Sequence, residues 1–174
     1  MGILRKNGPL TDEERAIIQT HTVEGKKLLD MTTWKDTIVP NIVFKHHEIW
    51  DGTGYPDKDN GFNCKKLARI IHVADVYEAL IAKRPYKEHK MRQEARSIIA
   101  SCSGKMFDPS ISKMFLGKIP PYFIGEEVIY KGMFATVISI SGLNPVLKFV
   151  NGEIEEVDGR IDENFVPQDL ELIK

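Results

Sequence analysis

Apolar positions recur at three- and four-residue spacing through the first two thirds of the chain and alternate or cluster in β-branched runs through the last third. Thr11 followed by Glu14 has the form of a capping box and predicts a helix start. From there DEERAIIQTHTVEGKKLLD places Ile17, Ile18, His21, Gly25, Leu28 and Leu29 on one helical face. A second helix is expected from Thr37 to Glu48, with Pro40 tolerated in its first turn. Glycines then break the chain, and a loop runs to about Asn63. In CKKLARIIHVADVYEALIA, the residues Leu67, Ala68, Ile71, Ala74 and Ala79 predict a long third helix. RPYKEH interrupts it, MRQEARSIIASC is helical again, and Asp108 before Pro109 predicts a capped short helix ending near Leu116.

The texture changes at GKIPPYF. EEVIYK, ATVISIS, PVLKFVN and EIEEVD read as short strands divided by Gly and Asn, with a last one near LELIK. The expected architecture is mainly α, a partial helical bundle over residues 1–119, followed by a small antiparallel β-barrel-like domain over residues 120–174. The Pro120–Pro121 pair is read as the linker, and no internal repeat or low-complexity tract is visible.

Composition narrows the function classes. With 42 % hydrophobic and 28 % charged residues, the chain reads as globular. A net charge of −1 gives no general attraction to DNA, no apolar run is long enough to cross a bilayer, and MGILRKNGPL does not resemble a secretory signal. Cys64 and Cys102 lack metal-binding spacing and read as reduced thiols of a cytoplasmic protein, with a disulfide between them as the alternative.

Against this background HHEIWDGTGYP, residues 46–56, is crowded with chemistry. His21 shares a helical face with Ile17, Ile18 and Leu28; His46 and His47 follow Ile42 and Val43 by four residues; Asp75 follows Ile71 by four. His21, Asp75 and one or both of the vicinal histidines are therefore expected to point inward. An inward Asp among three inward imidazoles is coherent if a cation lies between them, since a buried unpaired carboxylate is costly. Imidazole plus carboxylate suits a first-row metal such as Fe, Mn or Zn. Consecutive helical side chains diverge by ~100°, so a vicinal His pair is expected to serve two ions, or one ion and a substrate oxygen. Taken singly, each residue also has a plainer reading. His21 could be a hydrogen-bonded core histidine, Asp75 could pair with Arg69 or Arg84, and the vicinal pair could be a polar helix end. His72 and His89 read as partly exposed.

HHEIWDGTGYP resembles the HHExxDGxGYP signature of the HD-GYP family, a branch of the HD phosphohydrolases. The resemblance extends over residues 3–116. ILRKNGPLTDEE is similar to the family's ILxKxGxLTxEE, ARIIHVADVYEALIAKRPYK to its ARIxxxADxYDALxxxRPY, and GKMFDPSI to its GxxFDP. It implies a helical HD fold with two or three Fe or Mn ions that hydrolyses cyclic di-GMP to pGpG and GMP. It further implies His21, His46, His47 and Asp75 as metal ligands, and Arg84 and Lys87 as cations on the substrate phosphate. A solvated turn with a salt bridge is the alternative for those two cations. Tyr55, with Gly54 and Pro56, matches the loop beside the site, which in the family is linked to contacts with GGDEF-domain partners. Glu48 and Asp51 belong to the signature and are expected to orient the imidazoles from behind. Gly52 and Gly54 are expected to adopt torsions closed to other residues.

One element of the family pattern is missing: the chain contains no His-Asp dipeptide. In the family that dyad supplies two further ligands and precedes the His21 position by more chain than stands here. The chain is therefore expected to be a fragment of a longer gene product, a piece excised from one, or a short natural remnant that pairs with another chain. In each case it is expected to be inactive or impaired alone, with the apolar faces of residues 12–30 and 64–82 left open to self-association. The competing function is a non-catalytic nucleotide sensor or interaction module built on a degenerate site. The C-terminal strands, GEEVIYKGMFATVISI onward, loosely resemble a β extension of some HD-GYP proteins and are read as a packing or interaction module.

Overall fold

The computed structural model of the chain describes residues 3, 6, 8–60, 64–82, 92–158 and 170–172. Its elements are α1 (Asp12–Gln19), α2 (His21–Asp30), α3 (Val39–Lys45), α4 (Lys66–Ile81), α5 (Arg92–Ser101) and α6 (Pro109–Leu116), then β1 (Glu127–Tyr130), β2 (Met133–Ser141), β3 (Asn144–Phe149), β4 (Ile154–Glu156) and β5 (Leu170–Leu172). Contacts group them into two compact units, residues 1–90 with 102–112, and residues 91–101 with 113–174.

In the first unit the capping box forms as expected: Glu14 N–H donates to Thr11 Oγ1 and Thr11 N–H to Glu14 Oε2. The single helix expected over residues 12–30 is divided at Thr20. Its hydroxyl donates to Ile17 O at 2.7 Å, offering that carbonyl a local partner in place of the regular ladder. The second expected helix is shorter than Thr37–Glu48 and stops at Lys45, because His46 already serves as its C-cap.

Helix α4 carries two apolar faces, which periodicity alone does not rank. Ala68, His72, Val73 and Tyr77 are buried, whereas Leu67, Ile71, Ala74 and Asp75 are exposed. On α1 and α2 likewise, Ile17 and Leu28 face outward. His21 and Asp75 therefore share the predicted apolar faces but are themselves exposed, and His72, expected at the surface, is buried at 4 %. The reason is that the described residues cover only one side of these helices. His89 lies outside them.

The segment 102–108 closes the unit from the other side. Trp50 N–H donates to Met106 O and Asp51 N–H to Lys105 O, both at 3.1 Å, while Phe107 packs its ring 5.4 Å from that of His72. Asp108 caps α6 by accepting from Ser110 N–H at 2.8 Å and Ser110 Oγ at 2.7 Å, with Pro109 opening the helix. Its other oxygen takes the guanidinium of Arg69, which lies 5.5 Å over the Trp50 ring. Cys64 and Cys102 are not joined by a disulfide.

In the second unit the five strands form one antiparallel sheet in the order β4-β3-β2-β1-β5. Every predicted strand is present, but the sheet is open. Among the described residues the two three-residue strands β4 and β5 lie at opposite edges without pairing, so the barrel expected from the sequence is not closed there. Alternation buries Pro145, Leu147 and Phe149 on β3 against Ala135 and Val137 on β2, with Tyr122 and Val128. A register shift between Val137 and Ser139 ends the clean alternation on β2. Helix α5 is held to the Pro-Pro segment by Arg96, which donates to Ile119 O, and by Arg92, which donates to Tyr122 O at 3.2 Å.

Candidate metal centre

Three imidazoles from two places in the chain meet at one end of the helical unit. Gly25 sits where α2 crosses α3, and a Cβ there would lie 2.9 Å from Val43 Cγ1. That close approach brings His21, one turn earlier on α2, beside His46 at the end of α3. Ligand atoms of His21, His46 and His47 all lie within 4.8 Å of one another. Because α3 ends at Lys45, His46 and His47 are not consecutive residues of a helix, and their rings lie 4.1 Å apart at a 39° tilt instead of diverging. The helical divergence of ~100° on which the expected two-ion or ion-and-substrate arrangement rests therefore does not apply to this pair.

The tautomers can be assigned from hydrogen bonding. His21 Nδ1 lies 2.8 Å from Ile18 O and His46 Nδ1 lies 2.6 Å from Val43 O. A carbonyl can only accept, so both Nδ1 atoms carry the proton. In the neutral form of both rings, the two Nε2 atoms then face each other as lone pairs at 3.3 Å. Burial further disfavours protonation of His46, with the nearby His21 adding to the effect. Opposed lone pairs repel, and a cation between them removes the repulsion. With metal–nitrogen distances near 2.1 Å, two donors at this separation subtend about 100° at an ion, which suits tetrahedral or octahedral coordination. The donor set therefore fits a divalent metal.

His47 is pushed down to about 3 by burial, aided by the surrounding imidazoles, so it too is neutral and ready to ligate. Asp75 Oδ2 lies 4.0 Å from His47 Nδ1, wider than a hydrogen bond, with the carboxylate 46 % exposed at the mouth of the cluster. Tyr55 tilts its ring 30° against His47 at a centroid distance of 4.8 Å. Desolvation and the nearby Asp75 charge push its phenol up to about 12, so it keeps its proton at neutral pH.

The rest of the signature builds the loop instead of touching the imidazoles. Glu48, 3 % exposed, accepts from Asp57 N–H at 2.7 Å and Asp59 N–H at 2.9 Å. Lys45 reaches the carboxylates of the same two residues. Asp51 accepts from Thr53 N–H and Oγ1, closing a local turn. Among the described residues neither Glu48 nor Asp51 hydrogen-bonds an imidazole, contrary to the expected orienting role. The glycines also differ from one another. Gly52 has φ +82°, as expected. Gly54 does not; it is required by space, since a Cβ would lie 2.4 Å from both His47 O and Ile49 N. Pro56 follows Tyr55 through a cis peptide. Arg84 and Lys87 lie outside the described residues.

His72 is the site residue that sequence reasoning missed. It accompanies Ala68 on the covered face of α4, and its Nδ1 lies 2.9 Å from His46 O.

Three converging imidazoles with a carboxylate at the mouth make this end of the helical unit a candidate metal centre. A profile of the HD domain matches residues 1–111, and the chain belongs to that family. It is 39 % identical over 121 residues to a probable cyclic di-GMP phosphodiesterase of Vibrio cholerae, covering 66 % of this chain and 27 % of that protein. It is 37 % identical over 115 residues to a cyclic di-GMP phosphodiesterase of Thermotoga maritima, covering 66 % and 31 %. A 3'3'-cGAMP-specific phosphodiesterase of Vibrio cholerae is 35 % identical over 115 residues, covering 66 % and 22 %. The chain thus spans a third or less of the length of these relatives. Among solved structures, an HDG"Y"P protein from Bdellovibrio bacteriovorus has the same fold, at TM-score 0.51 and 19 % identity over 67 % of this chain and 38 % of that one. No described helix is long and apolar enough to cross a membrane.

Proposed function

We propose that this chain carries part of the active centre of a metal-dependent cyclic dinucleotide phosphodiesterase, with cyclic di-GMP as substrate and pGpG or GMP as product. The observation that carries this is the pair of Nε2 lone pairs of His21 and His46 held 3.3 Å apart. In this reading His21, His46, His47 and Asp75 hold metal, two or three Fe or Mn ions in the complete site. Bound there, the metal supplies Lewis-acid polarisation of the phosphodiester and activation of water. Tyr55, protonated at neutral pH, offers an O–H beside the imidazoles, and Arg84 and Lys87 grip the phosphate. The two cysteines, not joined by a disulfide, agree with a cytoplasmic setting.

A second reading is a nucleotide-sensing or interaction module, supported by the Asp75 carboxylate standing 46 % exposed and 4.0 Å from His47 Nδ1. Anaerobic loading with Fe(II) or Mn(II), followed by metal analysis and assay of cyclic di-GMP and 3'3'-cGAMP, separates the two. We expect at least one metal per chain and slow formation of linear product. Less than one metal and no product leaves the module reading.

Residues 1–119 are proposed as the catalytic portion, with the GYP loop available to GGDEF-domain partners, and residues 120–174 as a packing or interaction module. Ile17 and Ile71 stand one turn from His21 and Asp75 and are exposed, as are Leu28 at 67 % and Met31 at 85 %. These faces are proposed to be covered by a second copy of the chain. Light scattering at micromolar concentration is expected to give a dimer or larger, and Ile71→Glu to shift it toward monomer. A monomeric wild-type chain would refute the self-association.

A further inference from the structure

We infer that His72 is a positioning residue of the metal centre, acting through the peptide bond that joins His46 to His47. This rests on the metal-centre reading above but concerns a residue which neither the signature nor the proposed ligand set includes. The carbonyl of His46 lies just past the last turn of α3, and among the described residues no backbone N–H donates to it. Its donor is the imidazole of His72, whose Nδ1 stands 2.9 Å away. A peptide plane held at its oxygen cannot rotate freely. The plane between His46 and His47 sets the directions in which both side chains leave the backbone. One hydrogen bond from α4 therefore aims two ligands on the loop side at once.

The surroundings of His72 argue against a role in packing alone. Its ring is buried, lies 5.4 Å from the Phe107 ring and stands edge-on to His47 at 6.3 Å. Donation from Nδ1 leaves Nε2 as a lone pair, and this nitrogen is buried without a partner among the described residues. An apolar side chain of similar volume would fill the same space and avoid that unsatisfied atom. What such a residue could not supply is the donor to His46 O.

Two substitutions separate donor from volume. His72→Leu keeps the bulk and removes the donor. His72→Asn loses bulk but places its Nδ2 donor where Nδ1 stood. Co(II) alone is the probe, titrated into the full chain and followed by its visible absorption, with thermal unfolding of the metal-free proteins alongside. We expect His72→Leu to weaken cobalt binding roughly tenfold, at the lower end of the range for residues that orient ligands, while unfolding near the wild-type temperature. His72→Asn should unfold at lower temperature yet bind cobalt within about threefold of wild type. Should His72→Leu not fold, His72→Met makes the same contrast. Affinity that follows unfolding temperature across the variants, or wild-type affinity in His72→Leu, overturns the inference and leaves the metal centre standing. A wild-type chain that binds no cobalt overturns both.

Discussion

His46→Ala is expected to lower divalent-metal affinity at least about a hundredfold, equivalent to roughly 2.7 kcal/mol of binding, and to abolish any metal-dependent phosphodiesterase activity. The substitution removes one of two donors that stand 3.3 Å apart with their protons committed elsewhere, to Val43 O and Ile18 O. Neither remaining imidazole can take over that position. His21 is anchored by its own Nδ1 bond, and the His47 ring is packed against Tyr55. The metal-free protein should respond differently. His46 gives up one hydrogen bond and part of its buried surface, but a repulsive lone-pair contact disappears with it, so stability is expected to change by about 1 kcal/mol or less. Isothermal titration with Mn(II) or Co(II) beside urea unfolding of the metal-free chain checks both halves. Equal losses in binding and stability would mean that the histidine pair is a structural contact.

Asp108→Asn is expected to destabilise the helical unit by about 3 kcal/mol without contacting the imidazoles, the range for breaking a mostly buried ion pair. Asparagine keeps the cap on Ser110 but leaves the Arg69 guanidinium without its carboxylate. Arg69 in turn braces Trp50, whose N–H is tied to Met106 O, so the loss reaches the loop that carries the signature. The pH dependence has a definite sign. Burial alone would raise the Asp108 pKa, but the hydrogen bonds from Ser110 and Ile111 and the charge of Arg69 outweigh it and hold the group below the ordinary 3.8. The unfolded chain therefore binds this proton first as pH falls. The stabilisation is complete above about pH 4, the unfolded value, and is lost as pH drops through the lowered native one. Urea midpoints for wild type and Asp108→Asn should differ by a constant amount from pH 7 to 5 and converge below about pH 4. A gap that persists unchanged at pH 2.5 would show that the carboxylate charge is not its source.

Much of this protein could be read before any coordinates. The capping box at Thr11, the Asp108–Pro109 helix start, all five strands and the order of the helices follow from local chemistry: side chains that satisfy nearby backbone groups, and periodicities of 3.6 and 2. The signature 46–56 likewise identifies the family, because its residue types are tied to one chemistry. What tertiary structure decided was which of two possible partners each residue meets. On α4 the sequence offers two apolar faces; packing against Phe107 and the end of α3 chose the one bearing His72 and left Asp75 exposed. Glu48 and Asp51 are adjacent to the imidazoles in sequence but spend their oxygens on loop N–H groups 2 to 11 residues away. Gly54 is needed because His47 O and Ile49 N come within 2.4 Å of where a Cβ would stand, a fact of chain return that no local pattern encodes. Sheet closure failed for a similar reason, since pairing between β4 and β5 is a long-range contact that strand propensity does not specify. Local free energies are written residue by residue along the chain. The choice between competing long-range partners is made only when the whole unit packs.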